Sequence, residues 1–390
     1  MTTLLVGISA RAAAQSAVSS GHEIIALDAF GDMDLSRICR TFSLRGEFSH
    51  LAPEPGSLTE KLGIAGRDLD FDQVVYGSGF ENHPELVRGW EEEGRVVLGN
   101  PSRVLEGCRD WRRLFDFLRS RGVSCPETHV VEGLGSEEIA DLDTARYIVK
   151  PVRSGGGHSI LPLDRVLDDP GLTDLWAGRA ALIQELIPGT AASISFISSG
   201  KAFLPVSTTL QLIGTDFSRF KYAGNVAPLD VSQETEDKMV RAARLVSREF
   251  DLIGSNGIDF CVSDGEPFVL EINPRIQGSL EVVEGAAGVS VFDLHLRACR
   301  GEEIPSRVAR SQTYWGRRIV YAPRDLRVGD LSRTRFVRDV PLSGSRVDQR
   351  SPICTVVARS DSSEGCVRRL LDRENRVISL FTDPSIEWNP

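Results

Sequence analysis

Three absences narrow what this chain can be. No apolar run reaches the roughly 20 residues that a membrane helix requires. The nearest imitation of a secretory leader, Leu4–Ile8 followed by Ala12–Ala14, is too short and is interrupted by Arg11. No two of the seven cysteines, at 39, 108, 125, 261, 299, 354 and 366, stand at C-x-x-C spacing, so neither a zinc site nor a disulfide framework is expected. An odd number of scattered thiols fits a reducing cytoplasm. No basic run stands out either: arginines are interspersed with acids and the net charge is −10, which argues against a nucleic-acid partner. The expectation is a soluble cytoplasmic protein that needs neither nucleic acid nor membrane.

What is present is an α/β pattern with room for two or three domains in 390 residues. TLLVGI at 3–8 reads as a buried strand, Ala12–Ser19 as a helix stopped near Gly21, and EIIAL at 23–27 as the next strand, ending at Asp28. Strands over Gln73–Tyr76 and Arg95–Leu98, with a helix Pro84–Glu93 between them, extend this β-α-β opening into a doubly wound, Rossmann-like unit over 1–103. Gly7 is followed by Ile8-Ser9-Ala10-Arg11 rather than by a G-x-G-x-x-G loop, which argues against a dinucleotide-dependent dehydrogenase. A second unit is predicted over 104–300, with a helix Val104–Arg121, a strand-rich stretch from Tyr147 to Pro205, a helix Gln233–Phe250 and a helix Val291–Arg300. The remainder, 301–390, reads as a small Arg-rich β-containing unit with PICTVVAR at 352–359 and a helix near Glu364–Arg373.

The most informative segment is GIDFCVSDGEPFVLEINPR, 257–275. Apolar side chains alternate along both arms, so each arm presents one apolar face. With Gly265 at the tip, Val262 should pair with Phe268, Phe260 with Leu270 and Ile258 with Ile272, all on the core face. The same register sets Asp259 directly across from Glu271, with Asn273 on the same polar face. Two carboxylates opposed across a ladder repel each other. A hard cation between them reverses the sign, and two carboxylates with an amide carbonyl are oxygen ligands that suit Mg²⁺ beside phosphates. The plainer alternative is a solvated polar face on an ordinary hairpin.

Two further segments offer nucleotide contacts. YIVKPVRSGGGHSILPL, 147–163, is strand, glycine loop, strand. Consecutive glycines let backbone N–H groups turn toward an anion, and Lys150 adds a point charge. His158 is expected as an exposed loop residue. LIQELI at 182–187 is an apolar strand interrupted by Gln184–Glu185 and ended by Pro188–Gly189; free backbone groups at such a break could read an adenine edge.

In this order the segments resemble the ATP-grasp superfamily. VKPVRSGGGHSI, IQELIPG and the hairpin ending E-I-N-P-R carry the resemblance over about 100–300. LLVGISARAAAQSAVSSGHEIIALDAFGDMDL, FKYAGNVAPL (220–229) and DVPLSGSRVDQRSPICTV (339–356) resemble a branch of predicted carboligases related to biotin carboxylase, which includes tyramine–glutamate ligase. The resemblance implies a grasp fold behind a Rossmann-like unit and ATP with Mg²⁺ (or Mn²⁺) as cofactors. It implies Lys150 on the ATP phosphates, Gly155, Gly156 and Gly157 over them, and Gln184, Glu185, Leu186 and Ile187 as the adenine hinge. Asp259, Glu271 and Asn273 would hold the metal, and Arg275 would stabilise the transferring phosphoryl group. The implied activity joins a small-molecule carboxylate to an amine through an acyl phosphate, in a monomer or homodimer. A bicarbonate-using carboxylase and a non-catalytic nucleotide binder are the alternatives. Two positions depart from the pattern. Cys108-Arg109-Asp110-Trp111-Arg112 stands where many members carry Asp-Lys, and Gly189-Thr190-Ala191-Ala192 stands where many carry a ribose-binding glutamate. Tyr222, Gly224, Asn225 and the turn Gly77-Ser78-Gly79-Phe80-Glu81 are candidate walls of the acceptor site.

Overall fold

The computed structural model describes residues 1–51, 54–134, 139, 141–309 and 311–382; the last residues of the third expected unit, 383–390, lie outside them. The fold is mixed α/β. Five parallel strands open it, in the order Arg40–Ser43, Ile24–Asp28, Thr3–Gly7, Gln73–Tyr76, Val96–Val97. Leu4 and Val6 point to one face of this sheet, packing with Leu62, Val87 and Trp90, while Leu5 points to the other with Ala14 and Phe292. A strand covered on both faces has no polar side to show, which is why TLLVG reads as a continuous apolar run.

Behind it, Thr128–Val131, Ala181–Glu185, Tyr147–Pro151 and Leu161–Pro162 form an antiparallel sheet that carries the glycine loop and the hinge. An eight-stranded sheet carries the hairpin. Its order is Glu266–Asn273, Ile253–Ser263, Thr190–Ser199, Phe203–Thr215, Ser218–Ala227, Tyr314–Tyr321, Pro352–Ser360, Val337–Arg338. The segment after 301 therefore contributes three strands to this sheet, with Arg317 directly opposite Asn225. Helix Gln233–Glu249 packs on it because Met239, Ala242, Ala243 and Val246 recur at helical spacing, facing Ile258, Phe260 and Ile272. The Ser232 hydroxyl accepts from the Thr235 N–H at 3.2 Å and caps its first turn. No helix among the described residues is long and apolar enough to cross a membrane.

Two expectations are corrected. The helix expected over 104–121 is two helices, Ser102–Cys108 and Trp111–Ser120. Asp110 breaks it: its carboxylate accepts from the Arg113 N–H at 3.1 Å and starts the second helix. The hairpin register holds for Ile258↔Ile272 and Asp259↔Glu271 but then slips. A bulge beyond Asp259 sets Phe260 against Val269 and Cys261 against Phe268, so Val269 is the buried core residue while Phe268 and Leu270 are only half-buried. The turn is Asp264-Gly265, both with positive φ (48° and 79°), as a two-residue hairpin demands. A register test follows. Val269→Ala should lower stability by about 2 kcal/mol in urea unfolding, and Leu270→Ala by clearly less; the reverse ranking would restore the regular ladder.

Candidate active site

Asp259 and Glu271 face each other across the ladder, and both Glu271 and Asn273 hydrogen-bond toward the Asp259 carboxyl. Burial, with Glu271 next, pushes Asp259 up to about 7, although Arg275 pulls the other way. Gln211 Nε2, on strand Phe203–Thr215 two strands away, donates to Asp259 Oδ1 at 2.9 Å. Asn273 is buried, and its Oδ1 accepts from Arg275 Nη2 at 3.0 Å, so one amide lone pair is already spent on the arginine. Among the described residues no group of three or more His, Cys, Asp and Glu side chains gathers as a metal centre. The donor set here is two carboxylates and an amide, hard oxygen ligands of the kind Mg²⁺ takes. Two half-buried carboxylates opposed across a ladder, one of them pushed up by the other, leave the site in deficit of positive charge. The residues fit the ion.

Lys150 ends the strand Tyr147–Pro151. Its ammonium lies 5.2 Å from the Trp111 ring centre and donates no hydrogen bond to any described residue. Burial lowers its pKa, Glu271 and Asp259 raise it, and Arg109 lowers it further. Arg275 is paired with Glu81: its Nε lies 3.0 Å and its Nη2 2.9 Å from Glu81 Oε1. Burial would raise the Glu81 pKa, but Arg275 and Arg109 hold it below the usual carboxylate value.

The glycine loop lies against the strand Ser218–Ala227. Tyr222 N–H donates to Gly156 O at 3.1 Å. A Cβ on Gly157 would fall 1.7 Å from Phe220 O, and its φ of +72° disfavours any other residue. Gly155 faces open space. His158 is exposed, as expected, and its ring meets the Lys221 ammonium.

The four residues expected as the hinge differ in which backbone donors are already taken. Gln184 lies within the ladder, its Nε2 on Thr128 Oγ1 at 3.0 Å. The N–H groups of Glu185 and Leu186 are taken by Glu127 O and Arg146 O, each at 2.8 Å. Ile187 N–H alone of the last three has no partner among the described residues. Gly189 has a structural reason for replacing a larger residue: a Cβ there would meet Val262 O at 2.4 Å.

Sequence reasoning missed Asn82, Gln211 and Trp111. Only Trp111 left a signal, since Asp110 before it marks a helix start. Arg109, at the break between the two helices, points into the site and donates from Nη1 to Ile272 O at 2.8 Å.

The ATP-grasp domain profile matches residues 108–279, the stretch that holds all of these groups except Glu81 and Asn82. This stretch is an ATP-grasp domain. An uncharacterized protein of Methanocaldococcus jannaschii is 25% identical over 388 residues, covering 96% of this chain and 95% of its own. The carbamoyl phosphate synthase large chain of Neisseria meningitidis is 22% identical over 307 residues, and this chain spans only 27% of its length. Among solved structures, N5-carboxyaminoimidazole ribonucleotide synthetase from Thermus thermophilus matches all of both chains with a TM-score of 0.70 at 18% identity. The biotin carboxylase domain dimer of Hydrogenobacter thermophilus 2-oxoglutarate carboxylase, solved with MgADP, ADP and bicarbonate, gives 0.71 at 16%, covering 97% of this chain and 90% of its own. L-amino acid ligase from Bacillus licheniformis gives 0.69 at 15%, covering 97% and 98%. At these identities the likeness is one of fold, and it extends over nearly the whole chain.

The Asp259 shift gives a signed prediction. A carboxyl whose folded pKa is raised contributes stability below its unfolded pKa and loses it as pH rises through the folded value. Asp259→Asn should therefore stabilise the metal-free protein at pH 8, with the gain shrinking as pH falls below about 7. Thermal unfolding with a chelator reads this, and the same variant should lose the stabilisation that Mg²⁺ gives the parent protein. A destabilised variant at pH 8 would sink the opposed-charge account.

Proposed function

We propose that this protein is an ATP-dependent carboxylate–amine ligase that activates an acid as its acyl phosphate and releases ADP and phosphate. The observation that carries the reading is the convergence of Asp259, Glu271 and Asn273 beside Lys150 and Arg275. ATP-grasp membership of 108–279 supports it, as do solved relatives of the same fold that include an amino acid ligase and a carboxylase domain holding MgADP.

The three oxygen donors would hold Mg²⁺ (or Mn²⁺), which supplies neutralising charge at the triphosphate. Lys150, desolvated and without a protein hydrogen bond, directs its full charge at phosphate oxygens. Ile187 N–H orients the base and the 154–157 loop covers the phosphates. A carboxylate oxygen of the acid attacks the γ-phosphorus as the bond to the ADP oxygen breaks. The planar fork of Arg275 matches the oxygens of the acyl phosphate so formed. The amine nitrogen then attacks the acyl carbon, phosphate leaves, and the amine loses a proton. Holding both reactants in one cleft contributes a factor on the order of 10⁵ or more, provided water is excluded. Seven free thiols suit the cytoplasmic setting proposed for it.

The biotin carboxylase domain solved with bicarbonate favours one second reading, with bicarbonate as the acid. A screen of acids and amines, glutamate and tyramine-like amines first, separates the two: amine-dependent ADP release supports the ligase, bicarbonate-dependent release without amine the carboxylase. No ADP release with any acid would leave a nucleotide binder. Glu271→Gln should cut ADP release by roughly a hundredfold or more, the scale of losing one preorganised electrostatic contact; unchanged rates would remove Glu271 from the metal site.

A further inference from the structure

The two residues that connect the N-terminal unit to the site do more than line it. The turn Phe80–Asn82 follows Gly79, whose φ of +106° and lack of a Cβ let it pass Thr59 at a point where a side chain would collide. Glu81 is engaged at both oxygens: Oε1 accepts from Arg275 Nε and lies 2.9 Å from Nη2, and Oε2 accepts the Gly79 N–H at 2.6 Å. A carboxylate held at both oxygens by its own protein serves to fix the direction of Arg275. Asn82, 8% exposed, is also used at both ends. Its Oδ1 accepts from Arg109 Nε at 2.8 Å, and its Nδ2 donates to Ser154 O, at the start of the glycine loop, at 3.1 Å. Arg109 in turn donates to Ile272 O, between Glu271 and Asn273.

We infer that Asn82 is a positioning residue: it latches the nucleotide loop to Arg109, and through Arg109 to the hairpin that carries the acids. The inference rests on the ligase reading, in which the 154–157 loop covers ATP. Loop closure and hairpin position are then set by one amide, and adjacent Glu81 holds Arg275 in the same frame. An opening loop gives up the Ser154 O contact first, because that contact is the single side-chain bond between the loop backbone and the N-terminal unit among those the described residues make. Arg109, left with half its anchor mobile, loses its fixed distance to the hairpin.

Asn82→Asp separates the latch from packing, because it keeps the acceptor for Arg109 and removes the donor to Ser154 O. Hydrogen exchange of the amides at 153–158 in the nucleotide-free protein should quicken roughly two- to tenfold, the scale of one lost hydrogen bond. Exchange in the strand Gln73–Tyr76 should stay unchanged, and binding of Mg²⁺ with the non-hydrolysable analogue AMPPNP should weaken by a similar factor. Wild-type exchange at 153–158, or equal quickening in both segments, would overturn the latch, since the latter is what simple loosening of the unit produces. Asn82→Ala serves the same comparison if the aspartate variant does not fold. Failure of the parent protein to bind the analogue would instead overturn the ligase reading, and the nucleotide-free comparison would still decide the latch.

Discussion

Two half-buried carboxylates set opposite each other across a ladder are the constraint around which this molecule is arranged. Burial and the facing Glu271 make the charged form of Asp259 costly, and its pKa is pushed up to about 7. A fold that evolved for stability alone would have replaced one of them, as an apolar or amide side chain in that position removes the repulsion at no packing cost. The surrounding positive groups soften the conflict without cancelling it. Lys150 and Arg275 act on both acids, yet Arg275 is committed to Glu81 and Lys150 is held over a ring. Strain of this kind, stored where a cation and a polyanion would relieve it, is the physical mark of a preorganised site.

The pairing of Asp259 with Glu271 was legible in the sequence because strand alternation is strict and one face must be apolar. What lay beyond the bulge was not. Phe268, Val269 and Leu270 are all apolar, so a one-residue slip leaves the pattern readable either way, and only packing against helix Gln233–Glu249 chooses Val269. The hinge shows a different limit. Its local sequence announces a break in a strand, but whether an amide is free depends on Glu127 and Arg146, which arrive from elsewhere in the chain. Glu81 and Asn82 show the same limit more strongly. Nothing in GSGFENHP says which partners, 27 to 194 residues away, its polar side chains will meet. The broken helix at Arg109 was readable in principle, since Asp110 is a capping residue; an uninterrupted apolar spacing across 104–118 concealed it.

These distant contacts need the N-terminal unit held at a fixed attitude, and a second buried charge cluster does that. Arg11, 2% exposed, pairs with Glu281 at 2.6 Å and Asp339 at 3.0 Å. Asp34 accepts from the N–H groups of Asp339 and Val340 at 3.0 and 2.9 Å, and Met33 N–H donates to Val340 O. Asp339 also lies 3.6 Å from Arg317, which sits opposite Asn225 in the sheet. Segments near residues 11–34, 281, 317 and 339 therefore share one set of charges. Burial of such ions costs about as much as their attraction returns, but removing any one partner leaves its mate uncompensated. The cluster contributes specificity of arrangement more than net stability.

The acids near that cluster carry the argument one step further. Asp32, desolvated and beside Asp339, Asp28 and Asp34, is pushed up to about 9, while Asp28 is raised to about 6 against three backbone N–H donors. Burial and the neighbouring carboxylates thus favour the protonated form of Asp32, which lessens the negative charge gathered at the cluster. With Arg11 and Arg317 as its buried cations, that proton brings the junction closer to balance. The site and the junction meet the same physical demand in different ways. At the junction a proton relieves crowded carboxylates. At the hairpin, under the proposed function, a metal ion and its nucleotide would take that role, and the junction keeps Glu81 and Asn82 beside Arg275 and the glycine loop.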